Sequence, residues 1–313
     1  MNCSHRRPSR PHRATFLART VLATCVAALL VGWAAAQVVV TDALGHEVRL
    51  ERPPERVIAM LPSLGESACA IAACDLLVGR DRHGDHPPEL LDLPELGDAF
   101  APDLERLLAL EPDLVLVDVY SGLAEALERH GVPTYAGAPE RIGDVTAVLA
   151  DLGALFGREE EAAAEIARID AAVEAMREAS ETRFAEPPLV YLEIDPTPFS
   201  AGPDSYLGEL LALVGARNVV PAEAGPFPAL DPETVIASDP DVIVLLDAPY
   251  GVTAATVAER PGWGGLSAVR SGAVVEVLEA QGDLLSRAGP RLPEAAALML
   301  ELIETALGER DRP

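Results

Sequence analysis

"DLERLLALEPDLVLVD", residues 103–118, closes on an apolar run, Leu114–Val117, with no polar alternation. A strand of that kind is buried on both faces, as in a parallel sheet covered by helices. The stretch has a counterpart 128 residues further on, "DPETVIASDPDVIVLLD", residues 231–247. Under that shift Asp103 aligns with Asp231, Glu105 with Glu233, Ala109 with Ala237, and Pro112-Asp113 with Pro240-Asp241. Each copy reads as a short helix, a Pro-Asp turn and a buried strand. Helix-like stretches precede both: Glu66–Cys74 leads into LLVG, and Tyr206–Val214 leads into Gly215 and NVV. The chain therefore reads as α/β, two similar Rossmann-like lobes with mainly parallel sheets. The competing account is chance likeness between two common helix–turn–strand units.

Between the copies, residues 142–184 are rich in Ala and Glu, and Ile166, Ile169, Val173 and Met176 recur at helical spacing. Gly153 and Gly157 mark a break between a shorter helix and a longer one of about 25 residues, nearly 40 Å at 1.5 Å per residue. Such a helix is a strut, since a hinge would need Gly- or Ser-rich sequence. The stretch from Val38 reads as a hairpin turning near Leu44-Gly45 and then a strand over Arg56–Met60. An amphipathic helix over Pro293–Leu307 ends the chain. The expected divisions are a leader at 1–36, a first lobe at 37–140, a linking helical segment at 141–186 and a second lobe at 187–313.

The leader has Arg6, Arg7, Arg10, Arg13 and Arg19 before an apolar run, Val21–Trp33, and ends in Ala34-Ala35-Ala36. That is the pattern of a cleavable secretory signal, and the apolar run falls short of the roughly 20 residues that span a bilayer. The expected location is periplasmic or otherwise extracytoplasmic. Cleavage after Ala36 would leave 19 arginines, no lysine and 50 acids, a net charge of −31. Such a surface repels nucleic acid and anionic membranes. Cys69 and Cys74 would then be the only cysteines. They read as two small buried residues, with a disulfide as the alternative if a helix ends near Ala73.

No nucleophile elbow, phosphate loop or dinucleotide fingerprint is present, so binding rather than catalysis is the default. The order of segments is informative. It runs hairpin; RVIAMLPSLGESACAIAACDLLVG; HGDHPPELLDLPELGD; DLERLLALEPDLVLV; long helix; FSAGPDSYLGELLALVGARNVV; DPETVIASDPDVIVL; GGLSAVRSGAVVEV; RAGPRL. This order resembles the periplasmic substrate-binding proteins of ABC importers for cobalamin, ferric siderophores and haem, over essentially all of the chain after the leader. The Asp-x-Pro-Pro loop and the Arg-x-Gly-Pro-Arg segment are most similar to the cobalamin-binding branch. There an aromatic usually stands where this chain has His86, and a tryptophan often stands where it has Phe227. The resemblance implies two lobes bridged by a rigid helix, a small-molecule ligand in the cleft between them, and a chain that acts as a monomer. It implies no cofactor beyond cobalt or iron carried by the ligand itself.

Ligands in open α/β sheets gather beyond the carboxyl ends of strands. The loop after LLVG thus offers His83, Asp85 and His86 as pocket contacts, ahead of a plain polar loop or a direct metal site. By the same geometry Phe100 and Phe227 precede the two repeat helices, Phe199 follows a strand over Leu189–Ile194, and Tyr120 follows the strand at Leu114–Val117. Arg287 lies before the last helix, where a cation could meet phosphate or carboxylate. The resemblance gives Glu105 and Glu233 another role, as lobe-tip acids that meet arginines of a two-fold permease. Two other functions remain open: an exported metal-dependent enzyme built on His83 and His86, and a ligand-free scaffold module.

Overall fold

The apolar strands form two four-stranded parallel sheets of the same strand order. The computed structural model describes residues 38–310 and Met1, and the leader reading falls outside them. A hairpin of β1 (Val38–Thr41) and β2 (Glu47–Leu50) comes first, turned by Gly45 at φ +80°. Asp42 holds this turn, its Oδ1 accepting from the N–H groups of Leu44 and His46 at 3.0 and 2.9 Å. The first lobe continues through β3 (Val57–Ala59), α1 (Pro62–Ala70), β4 (Leu77–Arg80), a small hairpin of β5 (Gly97–Asp98) and β6 (Ala101–Pro102), α2 (Leu104–Ala109), β7 (Leu114–Val117), α3 (Leu123–Glu128) and β8 (Thr134–Ala136). Two helices follow, α4 (Ile142–Phe156) and α5 (Glu159–Ser180). The second lobe holds β9 (Leu189–Glu193), α6 (Tyr206–Leu213), β10 (Arg217–Asn218), α7 (Pro232–Ser238), β11 (Val242–Leu245), α8 (Ala254–Ala258), α9 (Ser267–Ser271), β12 (Val274–Glu276), α10 (Glu279–Ser286) and α11 (Leu292–Arg310).

The sheets run β4-β3-β7-β8 and β10-β9-β11-β12, so in each lobe the first strand is flanked by the second and third. The two copies of the repeat supply the third strand of each sheet. All eight residues of β7 and β11 are fully buried, the two-faced burial that their unbroken apolar runs call for. The likeness of the segments is therefore structural and not chance.

The connection breaks where its glycines stand. Gly157 ends α4 at φ +63°, and a Cβ on Gly153 would lie 2.5 Å from that of Ala162, so only glycine lets the two helices pack this closely. Helix α5 is 22 residues long, about 33 Å. Its Ile169 is buried and Ile166, Val173 and Met176 are half-buried against the core. α5 packs on α4 and also on α6 and α11 of the second lobe. One apolar core, from Val40 to Ala306, passes through both lobes, and a second fills the other face of the first sheet. Shared burial of that kind resists hinge motion, because opening would expose apolar area at roughly 25 cal/mol per Å².

The cysteines are joined, Cys69 to Cys74, with Cα atoms 4.2 Å apart. This corrects the expectation of two packed thiols. The α1 helix stops at Ala70, and Ala72 takes a left-handed φ of +57°, which folds the chain back and brings Cys74 to Cys69.

Candidate functional site, a cleft between the lobes

The carboxyl ends of the first sheet's strands form one wall. Leu61-Pro62-Ser63 follow β3, His83 follows β4, Asp118 follows β7, and Ala138-Pro139 follow β8. The opposite wall is Asp283 and Ser286 of α10 with Arg287 and Ala288 beyond it. Together they enclose a cleft of about 330 Å³.

Arg287 is committed to protein acids across this cleft. Its Nη1 donates to Asp85 Oδ1 at 2.6 Å and to Glu66 Oε1 at 3.3 Å, and its Nη2 lies 2.9 Å from Asp283 Oδ2. Arg291 donates from Nε and Nη2 to the two oxygens of Glu66, both at 2.8 Å. Glu66 sits on α1 with its side chain only 2% exposed. The Arg-x-Gly-Pro-Arg segment thus reaches from the second lobe to grip a buried acid of the first. It is anchored in turn by Pro290, whose carbonyl accepts from Arg168 of α5 at 2.7 Å. Burial alone would raise the Asp85 carboxyl, but the Arg287 hydrogen bond and charge hold it below the usual carboxylate range. A ligand acceptor can reach Arg287 only by sharing it with Asp85 or displacing that side chain. A second, exposed tie joins the connection to the second lobe, where Arg141 meets Glu209 of α6 at 2.7 Å.

The loop after β4 divides its residues. Asp81 is buried beneath it; Oδ2 accepts from the His83 N–H at 3.1 Å, and Oδ1 has no hydrogen-bond partner among the described residues. Burial pushes the Asp81 carboxyl up to about 6. His83 is exposed on the cleft. His86 is half-buried, precedes a cis bond to Pro87, and is not among the residues lining the cleft.

The aromatics stand on the rim. Phe100 lies between β5 and β6 and is 71% exposed; Tyr120 is 69% exposed. The Tyr120 hydroxyl donates to Glu140, and the ring opens on a neighbouring cavity of about 520 Å³, which shares Ala138 and Pro139 with the cleft. In the second lobe Phe199 and Phe227 occupy adjoining loops. The N–H groups of Ser200 and Gly202 donate to the carbonyls of Pro228 and Pro226 at 3.0 and 2.7 Å. A Cβ on Gly202 would stand 2.0 Å from the Gly225 carbonyl oxygen, so this seam requires glycine. Phe199 is half-buried, Phe227 exposed, and neither lines the cleft void. Glu105 and Glu233 are exposed in the first turns of α2 and α7, behind the capping residues Asp103 and Asp231.

Several site residues escape the sequence reading. Glu66 and Asp283 pair with arginines far away in sequence and carry no local signal. Asp118 does carry one, as the last residue of the first repeat copy. It is half-buried, with no cation paired to it among the described residues, and burial raises its carboxyl. One residue past the matching point of the second copy, which is Leu246, Asp247 is buried beside Glu193.

The family model described as "Periplasmic binding protein" matches residues 55–279. The chain belongs to this family. Across 85% of both chains, the binding protein is 27% identical to an ABC transporter substrate-binding lipoprotein, YvrC, of Bacillus subtilis. It is 25% identical to the vitamin B12-binding protein of Pectobacterium carotovorum, over 78% of this chain and 86% of the relative. Among solved structures it is similar to the periplasmic heme-binding protein RhuT from Roseiflexus sp. RS-1, with a TM-score of 0.69 and 25% identity over 82% of this chain and 99% of that one. The family is one of binding proteins of importers, not of enzymes, and the reading of a metal-dependent enzyme on His83 and His86 is set aside on that ground. Among the described residues no three His, Cys, Asp or Glu side chains are placed to hold a metal ion. No described helix is long and apolar enough to cross a membrane.

Proposed function

We propose that this binding protein captures a corrinoid, haem or ferric siderophore in the interlobe cleft and hands it to the permease dimer of an ABC importer. The observation that carries the proposal is the cleft itself: strand ends of one lobe face the Arg287 segment of the other. In parallel-sheet folds a crevice beyond strand carboxyl ends is where ligands bind. Relatives named for vitamin B12 and cobalamin, and a similar structure named for haem, supply the cargo class. His83 is the first-lobe contact within the cleft. Phe100, Tyr120, Phe199 and Phe227 are rim contacts, with His86 behind the loop and Asp85 sharing Arg287 with the cargo. The protein acts as an exported monomer, with lobes at 37–140 and 187–313 and the connection at 141–186.

Glu105 and Glu233 support the delivery step. They are equivalent by the repeat, exposed, and one per lobe, an arrangement suited to a two-fold cationic partner. Calorimetric titration of the protein with cyanocobalamin, haemin and a panel of ferric siderophores tests the reading. Tight one-to-one binding of one of them, weakened by Phe227→Ala, supports it. Absence of binding to all three classes refutes it.

A further inference from the structure

The 128-residue register of the repeat ends with the strands, and beyond them the two copies run on into Asp118-Val-Tyr120 and Leu246-Asp247-Ala-Pro-Tyr250. Each lobe thus sets a carboxylate and then a phenol beyond the third strand of its sheet. Tyr250 is 89% exposed, more than Phe100, Tyr120 or Phe227. Its turn is stiff. Pro249 fixes one backbone angle, and the N–H groups of Tyr250 and Gly251 donate to the carbonyls of Asp247 and Ala248, both at 2.9 Å. Gly251 closes the turn at φ +97°, a conformation that favours glycine.

Holding an aromatic ring out in water costs hydrophobic free energy and gains no packing. A tyrosine on a stiff turn is, by contrast, a good contact for a large flat partner, because its ring has only two side-chain torsions to fix on binding. The cleft's volume of about 330 Å³ is near the lower end of the roughly 300–1,000 Å³ usual for ligand pockets, so a ligand larger than this void extends onto the rim.

The geometry points to Tyr250 as a cargo contact of the second lobe, placed like Tyr120 beyond the third strand of its sheet and acting on the part of the ligand that the cleft leaves outside. This inference rests on the cargo reading above. Its test is titration of wild type, Tyr250→Ala and Tyr250→Phe with whichever of cyanocobalamin, haemin or the ferric siderophores wild type binds, with thermal melts to check the fold. A single aromatic contact of this kind is worth roughly a 3- to 10-fold change in affinity. Tyr250→Ala should weaken binding by that factor at an unchanged melting temperature, and Tyr250→Phe should retain most of it. Equal affinity of wild type and Tyr250→Ala would overturn the inference alone and would leave the ring as a surface for the permease. Failure of wild type to bind any of the three ligand classes would instead overturn the cargo reading, and this inference with it.

Discussion

The two lobes share one strand order yet differ in the acid that stands beyond the third strand. In the first lobe, Asp118 beyond β7 is half-buried on the cleft wall without a paired cation. In the second, the acids are turned inward. Glu193, at the end of β9, is fully buried and takes both oxygens to Arg260, at 2.6 Å each. Arg260 also lies 4.7 Å over the ring centre of Trp263, which packs edge-on against Tyr191. Asp247 is buried next to this group, with neither side-chain oxygen hydrogen-bonded among the described residues. The same framework therefore yields an open wall with one unpaired acid in one lobe and a closed ionic plug in the other. Each lobe sets a carboxylate just beyond its third strand; the neighbours decide whether it faces a ligand or braces the fold.

Removing a cation should separate these two cases most sharply. Arg260→Ala leaves Glu193 buried without its partner, which costs about 3–5 kcal/mol, read as a large drop in denaturant midpoint. A melt as stable as wild type would contradict the plug. Glu66→Ala should come next, by the same mechanism between lobes, since Arg287 and Arg291 lose their buried acid. Arg141→Ala breaks only the exposed tie and should cost far less than Glu66→Ala, so equal losses from the two would mean that the lobes are not held where the buried network lies.

Asp247 gives the comparison a pH dependence. Burial first, and the neighbouring Glu193 second, push its carboxyl up to about 7. An unfolded chain gives up this proton near pH 4, whereas the folded protein keeps it until about pH 7. The contribution to stability is thus greatest below pH 4, is lost progressively as pH rises to about 7, and is flat above that. Asp247→Asn should be more stable than wild type at pH 8 and nearly equal at pH 4. A difference independent of pH would show that the carboxyl is ionised in the fold. Asp118→Asn should have the smallest effect, within about 0.5 kcal/mol, and should register in ligand affinity instead.

What the sequence discloses follows from how local each feature is. The strands β7 and β11, the break at Gly157 and the exposed Glu105 and Glu233 are written in runs of a few residues. The Glu66–Arg291 and Asp85–Arg287 bonds join residues more than 200 positions apart, and no periodicity announces them. Arg287 was readable as a cleft cation, but not that three acids already hold it. The disulfide depends on one left-handed alanine, Ala72, a conformation that its sequence context does not signal. Tyr250 lay within reach, since it stands only three residues past the end of the second repeat copy.

The claim that the cargo sits between the lobes is tested most directly by hydrogen–deuterium exchange with and without the ligand that titration identifies. The account predicts protection appearing together on both walls, at residues 61–63, 83–85 and 118–120 of the first lobe and at 283–288 of the second. Protection confined to one lobe, or to the neighbouring cavity around Asp42 and Asp151, would contradict it.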